Sequence, residues 1–209
     1  VDVSRSGQFG SFHAMKNEIA TEICAVLAFS AIRNNDKVGL IMFSDQVEKF
    51  IAPNKGKSHI LRIVRELLSF QPKGTGTNVS DALKYLNNVI KKRSISFVLS
   101  DFIDKDYDNA LRIVSKRHDV IAVTMNDPRE RELPKIGLIK MKDAESGQER
   151  WIDTSDSNIQ QSFKQFWKQH DERMKKSFLS TKVDRINIET HKPYLRPLVD
   201  FFKMREARV

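Results

Sequence analysis

In the stretch NEIATEICAVLAFSAIRNND, apolar side chains fall at positions 19, 20, 23, 24, 27, 28, 31 and 32. That spacing predicts a helix with a broad buried face. VGLIMF follows as an unbroken apolar run and predicts a fully buried strand. QVEKFIAP alternates and predicts a strand beside it, at or near a sheet edge. KSHILRIVRELLSF predicts a second helix, and TNVSDALKYLNNVIKK a third, with a Thr-Asn start suited to capping and Asp81 in its first turn. SISFVLSDF reads as a strand ending at Ser100 and Asp101, DYDNALRIVSKRH as a helix, and DVIAVTMND as a strand stopped by Pro128.

The chain opens on VDV, the end of a strand. The order is therefore strand, helix, two strands, two helices, strand, helix, strand. Such alternation predicts an α/β fold with a mainly parallel central sheet and helices on both faces. QVEKFIAP follows its neighbour too closely for a crossover, so it is expected to pair antiparallel at the edge. Beyond residue 127 the pattern changes. KIGLIKMKDAESGQERWIDT predicts a hairpin around a Ser-Gly turn. NIQQSFKQFWKQHDERMKKSFL predicts a long helix with Phe163, Phe166, Trp167, His170, Met174 and Phe178 on one stripe. VDRINIET predicts a last strand, and KPYLRPLVDFFKMREAR a closing helix whose start Pro197 delays or kinks. No repeat, low-complexity run or linker divides the chain. The expectation is one domain over 1–209, with a core at 1–127 and an elaboration at 128–209.

Composition narrows the partners only a little. The 209 residues hold 36 Lys and Arg against 27 Asp and Glu, a net charge of +9. An acidic protein, nucleic acid or an anionic membrane would each suit that charge. The basic runs KGKSH, IKKRS, KRH and RMKKSF are scattered, and no nucleic-acid reader motif accompanies them, so nucleic acid is the weaker expectation. The single cysteine, Cys24, excludes an intrachain disulfide and lies in the helical apolar pattern, as a small buried hydrophobe does. No apolar run approaches the roughly 20 residues of a spanning helix. Because the chain starts inside a strand with Val1, residues upstream of it are expected. The expected location is the cytoplasm, with membrane association only through such an upstream segment.

The candidate chemistry lies at strand ends. In DVSRS, alternate positions bring Asp2, Ser4 and Ser6 to one side of the turn. QPKGTGTNVSDAL adds Thr75, Thr77 and Asn78 from a Gly-rich loop feeding a helix, and VLSDF adds Asp101. In an open parallel sheet these segments emerge at the same, carboxyl edge. Neutral hydroxyls of Ser4, Ser6 and Thr77 with the carboxylates of Asp2 and Asp101 form an oxygen set suited to Mg²⁺ or Mn²⁺. Few direct carboxylates leave such an ion electropositive and open to an acidic ligand from outside. A dehalogenase-type phosphatase would need a second Asp where Ser4 stands, and SRSGQFGS lacks the glycine spacing of a dinucleotide fold. A serine hydrolase would need a nucleophile elbow and a partnered His. None of His13, His59, His118, His170 and His191 falls at a predicted strand end near Asp2.

These motifs resemble a von Willebrand factor type A domain with a metal-ion-dependent adhesion site. The family pattern of Asp-x-Ser-x-Ser, a loop Thr and a later strand-end Asp is matched by Asp2, Ser4 and Ser6, by Thr77 and by Asp101. DVSRSGQFG, DKVGLIMFSDQVEKFIAPNKG, DPRERELPKIGLIKMKDAESGQERWIDT and PLVDFFKMREAR look like one bacterial branch, the domain-of-unknown-function family 58, whose members are often encoded beside MoxR-type AAA+ ATPases. The resemblance implies a three-layer Rossmann-like fold and a metal held by Asp2, Ser4, Ser6, Thr77 and Asp101. It implies a binding module rather than an enzyme, whose protein partner supplies an Asp or Glu to the metal; a MoxR-type ATPase is one such candidate. The alternatives are a nucleic-acid-binding protein and a metal-dependent phosphoester hydrolase.

Overall fold

The structure, a computed structural model, describes residues 1–8, 15–104, 106–142 and 147–208. His13 and residues 143–146, which include the serine of the expected Ser-Gly turn, lie outside the described residues. A 3-10 turn at Arg5–Gln8 precedes α1 (Lys16–Arg33), β1 (Val38–Phe43), β2 (Val47–Asn54), α2 (Lys57–Ser69), α3 (Val79–Val89) and β3 (Ile95–Ser100). There follow α4 (Asp108–Ser115), β4 (Asp119–Asn126), α5 (Pro128–Arg131), β5 (Leu138–Lys142), β6 (Glu149–Asp153), α6 (Ser157–Thr181), β7 (Asp184–Glu189) and α7 (Leu195–Glu206).

The elements follow the hydrophobic periods, with two differences. The four-residue α5 lies where the sequence shows only a strand stopped by Pro128. Its first-turn proline needs no hydrogen-bond partner, and the Asp127 side chain accepts from Arg129 N to cap it. Pro197 sits inside the first turn of α7 and does not delay it, because the amides there have no intrahelical acceptor anyway.

The sheet is the larger correction. The expected single, mainly parallel sheet is instead three separate ladders: antiparallel β1–β2, parallel β3–β4–β7, and the antiparallel hairpin β5–β6. Residues 1–3 lie between the first two. Val3 N donates to Phe43 O and Phe43 N to Val1 O on one side, and Asp2 N donates to Leu99 O on the other. Asp2 makes an isolated parallel bridge to Phe43. Each of β1 and β3 keeps its own sheet, and the two meet across this short stretch. The antiparallel pairing of β2 with β1 agrees with the sequence.

Helices cover both faces, since successive residues of a strand point opposite ways. Val98, Val120 and Ala122 pack with α3, α4 and α6 through Leu83, Leu111 and Phe178. Leu99, Ile121, Val123, Ile186 and Ile188 pack with Ile23 of α1 and Leu198 and Phe201 of α7. A third cluster joins Leu40, Met42 and Ile51 of the hairpin to Ile63 and Leu67 of α2, with half-buried Cys24 packed against it. Among the described residues no helix is long and apolar enough to cross a membrane.

The amino ends of the parallel strands are clamped by one side chain. Arg205 of α7 donates to both oxygens of Asp119 at 2.6 and 2.8 Å and to Asp184 at 2.8 and 2.9 Å. The guanidinium holds the Asp119 carboxyl below the usual carboxylate range. A depressed carboxyl pKa adds stability above the unfolded value, and that stability is lost as pH falls through the folded one. Arg205→Met should therefore lower stability by about 1–2 kcal/mol at pH 7, a size expected for a well-aligned, partly exposed pair. The gap to the native chain should close below about pH 4. Thermal denaturation of both chains across pH 3–8 measures it, and a pH-independent gap would contradict it.

Candidate functional site

The chain leaves the bridge between β1 and β3 at Ser4 and turns at once into the 3-10 turn. That abrupt exit places the Ser4 hydroxyl at the centre of a hydroxyl group cluster. Ser4 Oγ lies 2.9 Å from Ser6 Oγ and accepts from Thr77 Oγ1 at 2.9 Å. Ser4 is buried, whereas Ser6 and Thr77 are half-buried and Arg5 between the serines is exposed. The cluster thus runs from the sheet edge outward to the surface.

Asp2 stands beneath it, buried. Its Oδ1 accepts from Ser4 N at 3.0 Å, and its Oδ2 from the Ser100 hydroxyl at 2.6 Å. Burial first, and then the nearby Asp101 carboxylate, raise the Asp2 pKa to about 6 against the opposing Ser100 and Ser4 hydrogen bonds. Asp101 follows β3. Its Oδ1 accepts from Ile103 N at 3.2 Å, in a turn that Phe102 makes with φ of 57°. Left-handed backbone at a non-glycine residue is strained. Here it is held by burial of the Phe102 ring against Tyr107 and Phe178.

Thr77 is positioned by a loop that the hairpin β1–β2 grips. Glu48 Oε1 accepts from Lys73 N at 3.0 Å, Gly74 N at 2.7 Å and the Ser44 hydroxyl at 2.7 Å. Asn78 N donates to Ser44 O at 2.7 Å, and Arg5 N to Thr75 O at 3.4 Å. A Cβ at Gly74 would lie 1.8 Å from Asp45 Oδ1 and 2.2 Å from Ser44 Oγ, so a side chain there would have to push both of these groups aside. Asn78 caps α3 by accepting from Asp81 N, as its sequence suggests, and Asp104 adds a second cap at Val79 N.

The five expected residues therefore come together: Ser4, Ser6 and Thr77 in hydrogen-bond contact, with Asp2 and Asp101 beside them. Sequence reasoning missed two neighbours. Lys16, 1% exposed, extends its ammonium to within 3.3 Å of Asp101 Oδ2 and 2.6 Å of Glu130 Oε2. A signal existed, since Lys16 falls three and four residues before Ile19 and Ala20, in phase with the buried stripe of α1. The second is His170 of α6, whose ring lies by the backbone and carboxylate of Asp101; burial lowers its pKa against these raising influences.

The donor set fits a hard divalent cation: three neutral hydroxyl oxygens and two carboxylates. Among the described residues no group of three or more His, Cys, Asp or Glu side chains is placed to hold a metal. A cation here would therefore rest on the hydroxyls, with the carboxylates completing its charge.

Residues 1–173 match the family model described as "Protein of unknown function DUF58". The chain belongs to the DUF58 family. Uncharacterized proteins of Mycobacterium bovis and Mycobacterium tuberculosis are each 24% identical to it over 208 residues, 98% of this chain. An uncharacterized protein of Mycobacterium avium is 27% identical over 135 residues, 64% of this chain and 79% of its own length. The DUF58 chain spans 65% of the length of the first two relatives. The crystal structure of the conserved hypothetical protein BatB from Bacteroides thetaiotaomicron resembles it with a TM-score of 0.64 at 16% identity. That likeness covers 100% of this chain and 96% of the other. It shows the fold, an α/β von Willebrand factor A-like arrangement with mixed parallel and antiparallel strands.

Two outcomes follow from the site. Asp2 carries a raised pKa, so its contribution to stability is fully present below the unfolded Asp value and is lost as pH rises through about 6. In metal-free buffer the native chain should lose up to about 3 kcal/mol from this group between pH 4 and 7, and Asp2→Asn should remove that slope. Urea denaturation at stepped pH in EDTA measures both. Gly74→Ala should displace the Thr77 loop and destabilise the chain by about 2 kcal/mol or more. An unchanged melting temperature would mean that the loop is not gripped by Ser44 and Glu48.

Proposed function

We propose that this DUF58 chain is a protein-interaction module of one domain whose hydroxyl cluster holds Mg²⁺ or Mn²⁺. An Asp or Glu of a partner protein then completes the coordination of the ion. The single observation that carries the reading is the contact of Ser4 Oγ with both Ser6 Oγ and Thr77 Oγ1, directly above buried Asp2. Hydroxyl groups from three separate positions are gathered where a lone capped turn would need one. Ser4, Ser6 and Thr77 would hold the ion, and Asp2 and Asp101 would balance its charge. The bound cation would supply an electropositive point for an outside carboxylate.

The neighbouring groups favour binding over hydrolysis. A hydrolase needs a base free to take a proton from water beside the metal. Both oxygens of Asp2 accept from Ser4 and Ser100, both oxygens of Asp101 from Ile103 and Lys16, and Lys16 is committed to two carboxylates. The net charge of +9 suits an acidic partner and would speed its approach. Resemblance to the MoxR-associated branch makes a MoxR-type AAA+ ATPase the first partner to try, with the module on the cytoplasmic side.

Isothermal titration with MgCl₂ and MnCl₂ tests the ion. The native chain should bind. Thr77→Ala should weaken binding by about tenfold or more, and the Asp2→Ala/Asp101→Ala double variant should abolish it. Binding should also fade below about pH 6 as Asp2 takes up a proton. Co-purification with the MoxR-type ATPase of the same organism tests the partner. EDTA and Thr77→Ala should each remove it; retention in both would defeat the metal-bridged mechanism. Metal-dependent phosphoester turnover lost with Asp2→Ala would establish the hydrolase instead, and salt-sensitive DNA binding indifferent to EDTA the nucleic-acid reading.

A further inference from the structure

Lys16 is a buried charge at the candidate site that lies outside the five expected residues. A buried ammonium requires compensation, and this one has it twice. Asp101 arrives from the end of β3 and Glu130 from α5, on unrelated segments. The placement of Glu130 is built. Asp127, fully buried, caps α5 at Arg129 N at 2.8 Å and accepts from Thr190 Oγ1 at 2.7 Å. Arg131, at the other end of the same short helix, donates to both oxygens of Asp171 and to Asn126. With its flanks tied down in this way, α5 presents Glu130 to Lys16.

The charges can then be counted. Asp2, Asp101 and Glu130 bring three carboxylates to one buried region, and Lys16 brings a single ammonium. Glu130 itself has a raised pKa because burial outweighs the opposing pull of Lys16, so even this pair stays under electrostatic load. Like charges in a poorly screened interior repel strongly. A divalent ion held by Asp101 would therefore meet a resident positive charge that cannot leave for solvent.

We propose that Lys16 is the internal counter-cation of the site: it keeps Asp101 and Glu130 compensated while no divalent ion is bound, and it lowers the affinity for that ion. The ion is then held firmly only when an outside carboxylate adds its charge. Metal and partner thus bind as one coupled event. Lys16 is a positioning residue and touches neither. The inference rests on the cation reading above, and it assigns that reading a regulation that the hydroxyl groups and Asp2 alone do not contain.

The test compares the native chain with Lys16→Met, Lys16→Arg and Glu130→Gln, by titration with MgCl₂ and by thermal denaturation with and without the salt. Lys16→Met should melt below the native chain in EDTA, since it leaves two buried carboxylates uncompensated. It should bind Mg²⁺ at least about tenfold more tightly, and Mg²⁺ should restore more stability to it than to the native chain. Lys16→Arg keeps the charge and should bind like the native chain. Glu130→Gln leaves the ammonium opposed by Asp101 alone and should bind Mg²⁺ several-fold more weakly. That variant decides the matter if Lys16→Met does not fold. Native binding with no gain in Lys16→Met, or no loss in Glu130→Gln, overturns the role of Lys16 and leaves the cation site standing. Absence of Mg²⁺ and Mn²⁺ binding in both the native chain and Lys16→Met overturns both.

Discussion

The insertion of residues 1–3 between β1 and β3 is the contact on which the rest depends. Among the described residues four backbone hydrogen bonds, three to β1 and one to β3, span two ladders that share no other strand pairing. The same stretch buries Asp2 at the sheet edge and sends the chain out at Ser4. Its side chain cannot face water, so both oxygens are satisfied from within, by Ser4 N and Ser100 Oγ. A carboxylate so placed beside Asp101 is costly to ionise. Perturbed acids of this kind concentrate where charge is meant to be met by something else.

Around that point most of the structure works to hold groups still. Glu48 and Ser44 grip the loop before Thr77, and at Gly74 a side chain would collide with Asp45 and Ser44. Asp104 adds a distant cap to α3, and Phe102 accepts a strained backbone so that Ile103 N reaches Asp101. None of these residues belongs to the donor set. Pre-positioned oxygens spare an incoming ligand the ordering that a mobile loop would demand. At the opposite edge Arg205 does comparable work for stability alone, tying the starts of β4 and β7 to α7.

Long-range charge pairing supplies the second layer. Lys16, Glu130 and Asp101 meet from three segments, and the helix carrying Glu130 is fastened by Asp127 and Arg131. The region after residue 127 is thereby bound to the site rather than appended to the fold. It also supplies β7, an edge strand of the parallel sheet against β4. The family match, which runs through residue 173, likewise crosses that point.

The sequence by itself marked most of the elements and the five residues that the fold brings together. Periods of 3.6 and 2 mark α1, α3, β3 and β4 because each needs only its own neighbours to show which face is buried. Asp2, Ser4 and Ser6 announce themselves through alternate spacing at a strand end, and Thr77 and Asp101 through the edge that a parallel sheet assigns them. Only the tertiary structure showed that β1–β2 and β3–β4–β7 pair as separate ladders joined through residues 1–3, since the sequence pattern of a strand does not name its partners. Only it showed the Lys16–Glu130 pair and the His170 ring beside Asp101. Lys16 stands in phase with a buried stripe, which marks it as anomalous, yet its partners come from segments far along the chain. Hydrophobic pattern records which residues leave water; which charges then meet is settled by packing, because a buried charge takes whatever counter-charge the fold brings within reach.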